Sequence, residues 1–252
     1  MRRIFLVLGI VIVVLASIAG VLFYQHQSVK NEEANRQMFD VVMTDKMSQL
    51  YEQAQDWSKP VQLNVHDDRL KGDYKVLSEF LLNYWMGNIE TRNRYLRELK
   101  AVKWDQFLDV DRLDADRKNS YKETEHMLKV AHQVTAQYQQ QNLQNKKEAL
   151  AKLKSLSIDS SLRHSLQAKL EQNLKVDKEN SLILLELQIL NKADAMFEML
   201  KNYPWQKKDG KILFPKDEQV KQFNDLYQDI LKLNAEIELK KEQNAEMLED
   251  EI

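Results

Sequence analysis

Apolar residues recur along most of the chain at the three-and-four spacing that is typical of amphipathic helices. This pattern predicts helices over about residues 31–57, from about residue 70 past Gly87, over about 113–156, from the Ser157–Ser161 region to about 174, and from 217 onward. Residues 182–190 are apolar nearly all round, which predicts the central helix of a bundle. Because few glycines and prolines interrupt these segments, we expect the helices to be long and few.

One stretch favours β structure. Residues 205–214 carry Asp209 and Gly210 at their centre, the pair of residues that a two-residue hairpin turn prefers because both tolerate a positive φ. With these two as the turn, Trp205 faces Phe214 on one side of the predicted hairpin. The aromatic pair is therefore expected to lie on the helices.

The helix predicted to follow the hairpin has an apolar seam. Its members step alternately by three and four residues, as in a coiled coil. The seam also passes through Asn234, and its other members form a candidate interaction surface: Val220, Phe223, Tyr227, Ile230 and Ile237. From about residue 241 the pattern gives way to charged residues, and the end is expected to fray.

The N-terminal region contains an uncharged run that begins at Ile4 and ends at Tyr24. A helix of this length spans about 31 Å, close to the hydrocarbon thickness of a bilayer. Arg2 and Arg3 precede the run, and no firm positive charge follows it until Lys30. By the positive-inside rule, the run is predicted to be a single membrane anchor, with residues 1–3 in the cytoplasm and the rest of the chain outside.

Composition narrows the classes of protein. The chain has 252 residues, 5 glycines, 3 prolines and no cysteine, which disfavours a turn-rich β fold and excludes disulfide scaffolds and cysteine-anchored lipoproteins. A formal net charge of -2 provides no clustered basic excess for nucleic acid. No motif of a phosphate loop, a nucleophile elbow or a zinc protease is present, so the chain is expected not to be an enzyme and to need no cofactor.

The region of the predicted hairpin and terminal helix contains Gly210, Ile212, Phe214 and Pro215, followed by Phe223, Asn224 and Leu226. In this arrangement it resembles the YiaF-like family of uncharacterised bacterial envelope lipoproteins. The aromatic helix around Tyr84 and Gly87 fits the same order of elements. The resemblance implies a helical envelope protein and brings no catalytic residues, and the missing cysteine departs from the lipoprotein pattern.

Two groups of residues are candidate metal ligands. Glu123 and His126 lie one helical turn apart, as in half of a di-iron site, but no second Glu-x-x-His accompanies them. Ca²⁺ prefers several carboxylate oxygens that converge from a short loop. Five aspartates are close together at positions 105, 109, 111, 114 and 116. Their spacing does not fit an EF-hand, and we favour helix-capping carboxylates instead. No metal site is predicted.

The densest basic stretch contains three arginines and two lysines, at positions 92, 94, 97, 100 and 103. On an amphipathic helix such a run is typical of a solvated face. Contact with lipid headgroups or an acidic partner is the alternative interpretation.

Together these patterns predict an all-α protein, an elongated helical bundle with coiled-coil character, one small β-hairpin and an N-terminal transmembrane helix. The predicted parts are a membrane anchor at 4–24, a periplasmic helical domain at 25–240 and a charged tail at 241–252. We expect a structural or protein-interaction module of the bacterial inner membrane, with a protein partner or a second copy of the chain. A helical module that binds a small molecule and signals through a membrane partner is the alternative.

Overall fold

The computed structural model describes residues 30–180 and 182–249, and these are mostly helical. Seven α-helices occur in them: α1 (Lys30–Gln55), α2 (Gly72–Ala101), α3 (Val110–Arg117), α4 (Lys122–Lys154), α5 (Ser160–Asn180), α6 (Leu182–Asn202) and α7 (Asp217–Glu249). A short 3-10 helix covers Trp104–Gln106, and strands β1 (Gln206–Lys208) and β2 (Lys211–Leu213) form an antiparallel hairpin. The prediction of a helical protein with one small hairpin is confirmed.

The predicted membrane anchor, with Arg2, Arg3, Ile4 and Tyr24, lies outside the described residues. Among the helices from residue 30 onward that the structure describes, none has the length and apolarity needed to cross a bilayer. The anchor therefore stays a prediction from the sequence.

The structure corrects one predicted helix. Residues 113–156 form two helices, because α3 ends at Arg117 and α4 begins at Lys122. Ser120 and Tyr121 between them have φ values of 59° and 58°, and this left-handed conformation interrupts a right-handed helix. The sequence pattern missed the break because neither residue is a glycine, the usual marker of such a conformation.

The carboxylate of Asp116 fixes the start of α4. It accepts hydrogen bonds from the backbone N–H of Glu123 at 3.1 Å and of Thr124 at 2.8 Å, and from Thr124 Oγ1 at 2.7 Å. Burial alone raises the pKa of Asp116, but these bonds and the charge of Arg112 hold it below its ordinary value. Asp109 caps α3 in the same way, accepting from the backbone N–H of Arg112 at 2.9 Å. These contacts confirm the capping interpretation for both aspartates.

Helix α2 passes through Gly87 without a break, as predicted. Helix α7 is longer than predicted, because it continues to Glu249, beyond the point where the charged tail was expected to begin. The chain divides into two compact units within the described residues: unit 1 contains residues 95–137 and 182–240, and unit 2 contains residues 30–94, 138–180 and 241–249. Helices α2, α4 and α7 contribute residues to both units.

Unit 2 has an apolar core assembled from α1, the first part of α2, the second part of α4 and α5. Leu50, Leu77, Leu82 and Leu153 lie at its centre and are fully buried. The link between α1 and α2 covers this core with three half-buried residues, Val61, Leu63 and Val65. The Gln53 side-chain amide holds the link in place, because it donates to the carbonyl of Gln62 at 2.9 Å and accepts from its N–H at 2.8 Å.

Unit 2 also buries polar groups. Arg92 is buried and donates from Nη1 to the carbonyl of Ala54 at 3.1 Å, in the last turn of α1. A cation in that position interacts favourably with the negative end of the helix dipole. The expectation that the basic stretch is one solvated face is therefore wrong for Arg92. On α4, Lys146 is also buried, and desolvation lowers the pKa of its ammonium group to about 8.

In unit 1, α6 is buried over much of its length, as its apolar pattern predicts. It includes one buried carboxylate, Glu186, which accepts a hydrogen bond from the hydroxyl of Tyr95 at 2.7 Å. Helices α6 and α7 are joined by an ion pair between Lys192 and Asp229 at 2.7 Å. The remaining connection from α6 to α7 contains the hairpin, which is the most distinctive surface feature of unit 1.

Candidate interaction site

The hairpin begins three residues after α6 and turns at the predicted place. Asp209 and Gly210 have φ values of 50° and 67°, which are the positive values that a type I′ turn requires at both central positions. The strands pair with Lys207 opposite Ile212 and Lys208 opposite Lys211. The predicted turn and register are both confirmed.

Because side chains alternate across a strand, the hairpin has two different faces. The inner face carries Lys207 and Ile212, and the register extended by one residue adds Trp205 and Phe214, both buried. We call the opposite side the outer face. It consists of four exposed residues, Gln206, Lys208, Lys211 and Leu213.

Trp205 holds the inner face on the helices of unit 1. Its ring is only 3% exposed, and its Nε1–H donates to the hydroxyl of Tyr121 at 2.7 Å. That hydroxyl in turn donates to the carbonyl of Leu200 on α6 at 2.9 Å. Arg117 on α3 lies over the Trp205 ring, with Cζ 4.4 Å from the ring centroid, and donates from Nη1 to the Trp205 carbonyl at 2.6 Å. We call Trp205, Tyr121 and Arg117 the aromatic anchor.

Tyr121 occupies an unusual conformation in this anchor. A positive φ is rare for a bulky residue, and its cost is about 1–2 kcal/mol. The buried side chain offsets this cost through the two hydrogen bonds of its hydroxyl and an edge-on contact with Phe197, whose centroid is 5.6 Å away. Burial raises the pKa of the Tyr121 hydroxyl despite its bond to Trp205. Tyr121, the residue that positions Trp205, thus has a strained backbone conformation.

Two further contacts fix the hairpin on its inner side. Phe214 packs against Phe223 of α7 with a centroid distance of 5.3 Å. Lys207 forms an ion pair with Asp111 of α3, and the hydrogen bond and charge of Asp111 raise the pKa of the Lys207 ammonium group. Helices α3, α6 and α7, together with Tyr121 just before α4, therefore all contribute to holding this small element.

The outer face is exposed and chemically mixed. Lys208 and Lys211 stand directly opposite each other beside the turn. Leu213, on the same face, is 40% exposed, and Tyr203 just before the hairpin is 39% exposed. The outer face thus combines two cationic groups with an exposed apolar side chain, and an exposed aromatic side chain lies just before it.

The residues of the predicted seam on α7 differ in their burial. Val220, Phe223 and Tyr227 are half-buried, while Ile230 and Ile237 are 2% and 0% exposed. The last two residues are thus already covered within the chain and are not free for a partner. An interaction role for the other three stays a prediction.

The candidate metal ligands named from the sequence do not come together at one site. Asp114 pairs with Arg117 at 2.6 Å and Asp105 with Lys100 at 2.7 Å, so the aspartates point to different cations. Glu123 and His126 are exposed on α4. Within residues 30–180 and 182–249, no three His, Asp or Glu side chains converge in a way that would hold a metal ion.

The sequence matches no protein-family model, no curated protein and no solved structure. Function is therefore inferred from the chemistry of this chain alone. The feature with the clearest chemical meaning is the hairpin, whose inner face carries the buried Trp205 and Phe214 and whose outer face is exposed.

Proposed function

We propose that the chain is a single-pass inner-membrane protein of the bacterial envelope that acts as a structural or protein-interaction module. Its helical part, with coiled-coil character in α7, lies in the periplasm and contacts a protein partner through the outer face of the hairpin. The observation that supports this role is that the outer face is exposed while Trp205, which is 3% exposed, holds the inner face on the helices of unit 1.

Rigid presentation is the reason to assign a binding role to so small an element. An isolated two-stranded hairpin is marginally stable in water, and a mobile one loses conformational entropy when a partner orders it. The aromatic anchor, the Phe214–Phe223 contact and the Lys207–Asp111 pair remove that mobility before binding. A preorganised surface of this kind binds with a smaller entropic cost.

The location follows from the N-terminal sequence. The uncharged run from Ile4 to Tyr24 is long enough to span the membrane, and Arg2 and Arg3 favour a cytoplasmic N-terminus. On this basis we expect the full-length chain to stay in the membrane fraction after alkaline carbonate washing. Protease added to spheroplasts should digest the helical part, and recovery of an intact chain would contradict the proposed orientation.

Photo-crosslinking in cells tests the interaction role. A photoreactive amino acid placed at Leu213 should yield a discrete adduct with a protein, because the outer face lies in the contact. The matched control carries the same amino acid at Lys147, an exposed position on α4 in unit 2. Adducts are detected by immunoblotting and identified by mass spectrometry.

The expected result is an adduct at position 213 that is much stronger than any adduct at position 147. Equal yields at both positions would indicate random collisions. No protein adduct at 213, with normal expression and membrane location, would contradict the proposed role of the hairpin.

A further inference from the structure

Two lysines of the outer face stand in an electrostatically unfavourable arrangement. Lys208 and Lys211 are direct cross-strand partners, and residues in this relation have Cβ atoms about 5 Å apart. Like charges placed directly opposite each other destabilise a sheet. The hairpin therefore bears an electrostatic cost next to its turn that two neutral residues would avoid.

Within the described residues, the two outer lysines differ from the inner lysine in their ion pairs. Lys207, on the inner face, has Asp111 as its ion-pair partner. Lys208 and Lys211 have no carboxylate within ion-pair distance in residues 30–180 and 182–249, although Asp209 lies between them in the turn. The outer face is therefore a cationic pair beside the exposed side chain of Leu213.

We propose that this face binds an acidic segment of a partner protein, with a carboxylate held between the ammonium groups of Lys208 and Lys211 and an apolar side chain on Leu213. The inference rests on the proposed function and names the chemistry of its partner. A carboxylate between two ammonium groups replaces their repulsion by two charge-assisted hydrogen bonds. The same electrostatics accelerate the encounter of the two proteins.

A protein segment fits this surface better than a lipid bilayer. Each lysine near an anionic membrane contributes about 1 kcal/mol, and stable attachment requires a larger basic cluster or a broad apolar face. The outer face offers two lysines and one leucine. At a protein interface the same few groups suffice, because a small number of desolvated contacts dominates the binding energy.

Charge reversal in the full-length chain tests the proposal. The photoreactive amino acid at Leu213 is combined with Lys208→Glu and Lys211→Glu, and the yield of the protein adduct is measured in cells. We expect at least about a tenfold loss, since opposed charges replace attractive ones. Both lysines are exposed, so an unchanged circular dichroism spectrum is expected to accompany the loss. The neutral pair Lys208→Gln and Lys211→Gln should give an intermediate yield.

The matched control reverses two exposed lysines of α4, Lys147→Glu and Lys152→Glu, and should keep the full adduct. An adduct that survives reversal of Lys208 and Lys211 would overturn the acidic-segment proposal while leaving the interaction role intact. An adduct to lipid instead of protein would overturn it in favour of membrane contact. The absence of any adduct from the unreversed chain would contradict the proposed function itself.

Discussion

Replacing Trp205 by alanine is expected to lower the free energy of unfolding by about 3–5 kcal/mol. The ring is almost completely buried, and its removal leaves a cavity below the hairpin. The Tyr121 hydroxyl loses the hydrogen bond that it accepts from Nε1 but keeps the one that it donates to Leu200. Arg117 loses the aromatic face on which it lies. The hairpin is then expected to separate from the helices.

Urea unfolding of the full-length chain, followed by far-UV circular dichroism, measures this effect. Trp205→Phe retains most of the packing and should lose about 1–2 kcal/mol, mainly the hydrogen bond to Tyr121. Tyr203→Ala, at a position that is 39% exposed, serves as the control and should change stability by about 0.5 kcal/mol or less. A loss below about 1 kcal/mol for Trp205→Ala would show that the aromatic anchor does not hold the hairpin.

Replacing Lys146 by methionine is expected to stabilise the protein near neutral pH. Burial lowers the pKa of the ammonium group from 10.5 to about 8, so the folded chain bears a desolvation cost when the lysine is charged. One pKa unit corresponds to about 1.4 kcal/mol, which gives a cost of about 3 kcal/mol. Methionine fits a similar volume without the charge. After the loss of the interaction that Lys146 makes in the folded chain, a net gain of about 1–2 kcal/mol is expected.

The same group makes stability depend on pH in a defined direction. Between about pH 8 and pH 10.5, Lys146 is neutral in the folded chain and protonated in the unfolded chain. The unfolded state then binds more protons, so the free energy of unfolding rises with pH across this window. Below pH 8 both states are protonated and this contribution is constant, with the desolvation cost fully present.

Parallel urea titrations at about pH 7 and pH 10 test this behaviour. The difference in stability between wild type and Lys146→Met should shrink as the pH rises, because neutralisation relieves the wild type. Lys147→Met, at the exposed neighbouring position, should have the same stability as the wild type at both pH values. A Lys146→Met variant that is less stable than wild type at pH 7 would contradict the prediction.

Much of the hairpin could be predicted from the sequence. The pair Asp209 and Gly210 determines the turn, the turn determines the register, and the register determines which residues share a face. Trp205 and Phe214 were expected on the inner side for this reason, and both are buried. The same alternation places Lys208 and Lys211 on the outer side. The structure adds that Lys207 on the inner side has an ion-pair partner, Asp111, and the sequence does not show this contact.

The aromatic anchor could not be predicted, because its members are far apart in the sequence. Tyr121 is 84 residues from Trp205, and local spacing carries no information about such a contact. The break between α3 and α4 was missed for a related reason, since tertiary contacts of Tyr121 and the Asp116 cap maintain a backbone conformation that local propensity disfavours.

The seam on α7 illustrates the limit of periodicity. Three-and-four spacing indicates that one face of a helix is apolar, and it does not indicate whether the same chain or another one covers that face. In this protein Ile230 and Ile237 are already buried. The exposed groups to which we assign a contact role lie instead on the hairpin, where the pattern is too short to stand out.

Hydrogen exchange of the full-length chain is the most direct test that the hairpin is a fixed recognition surface. The backbone amides of Gln206, Lys208, Lys211 and Leu213 belong to the hydrogen-bonded pairs of the two-residue hairpin. They should exchange at least about a hundredfold more slowly than an unprotected peptide, which corresponds to an opening free energy of about 3 kcal/mol. Trp205→Ala should abolish this protection while leaving the amides of α6 protected. Exchange of the wild-type hairpin at the unprotected rate would show a mobile loop and would contradict its assignment as the contact surface.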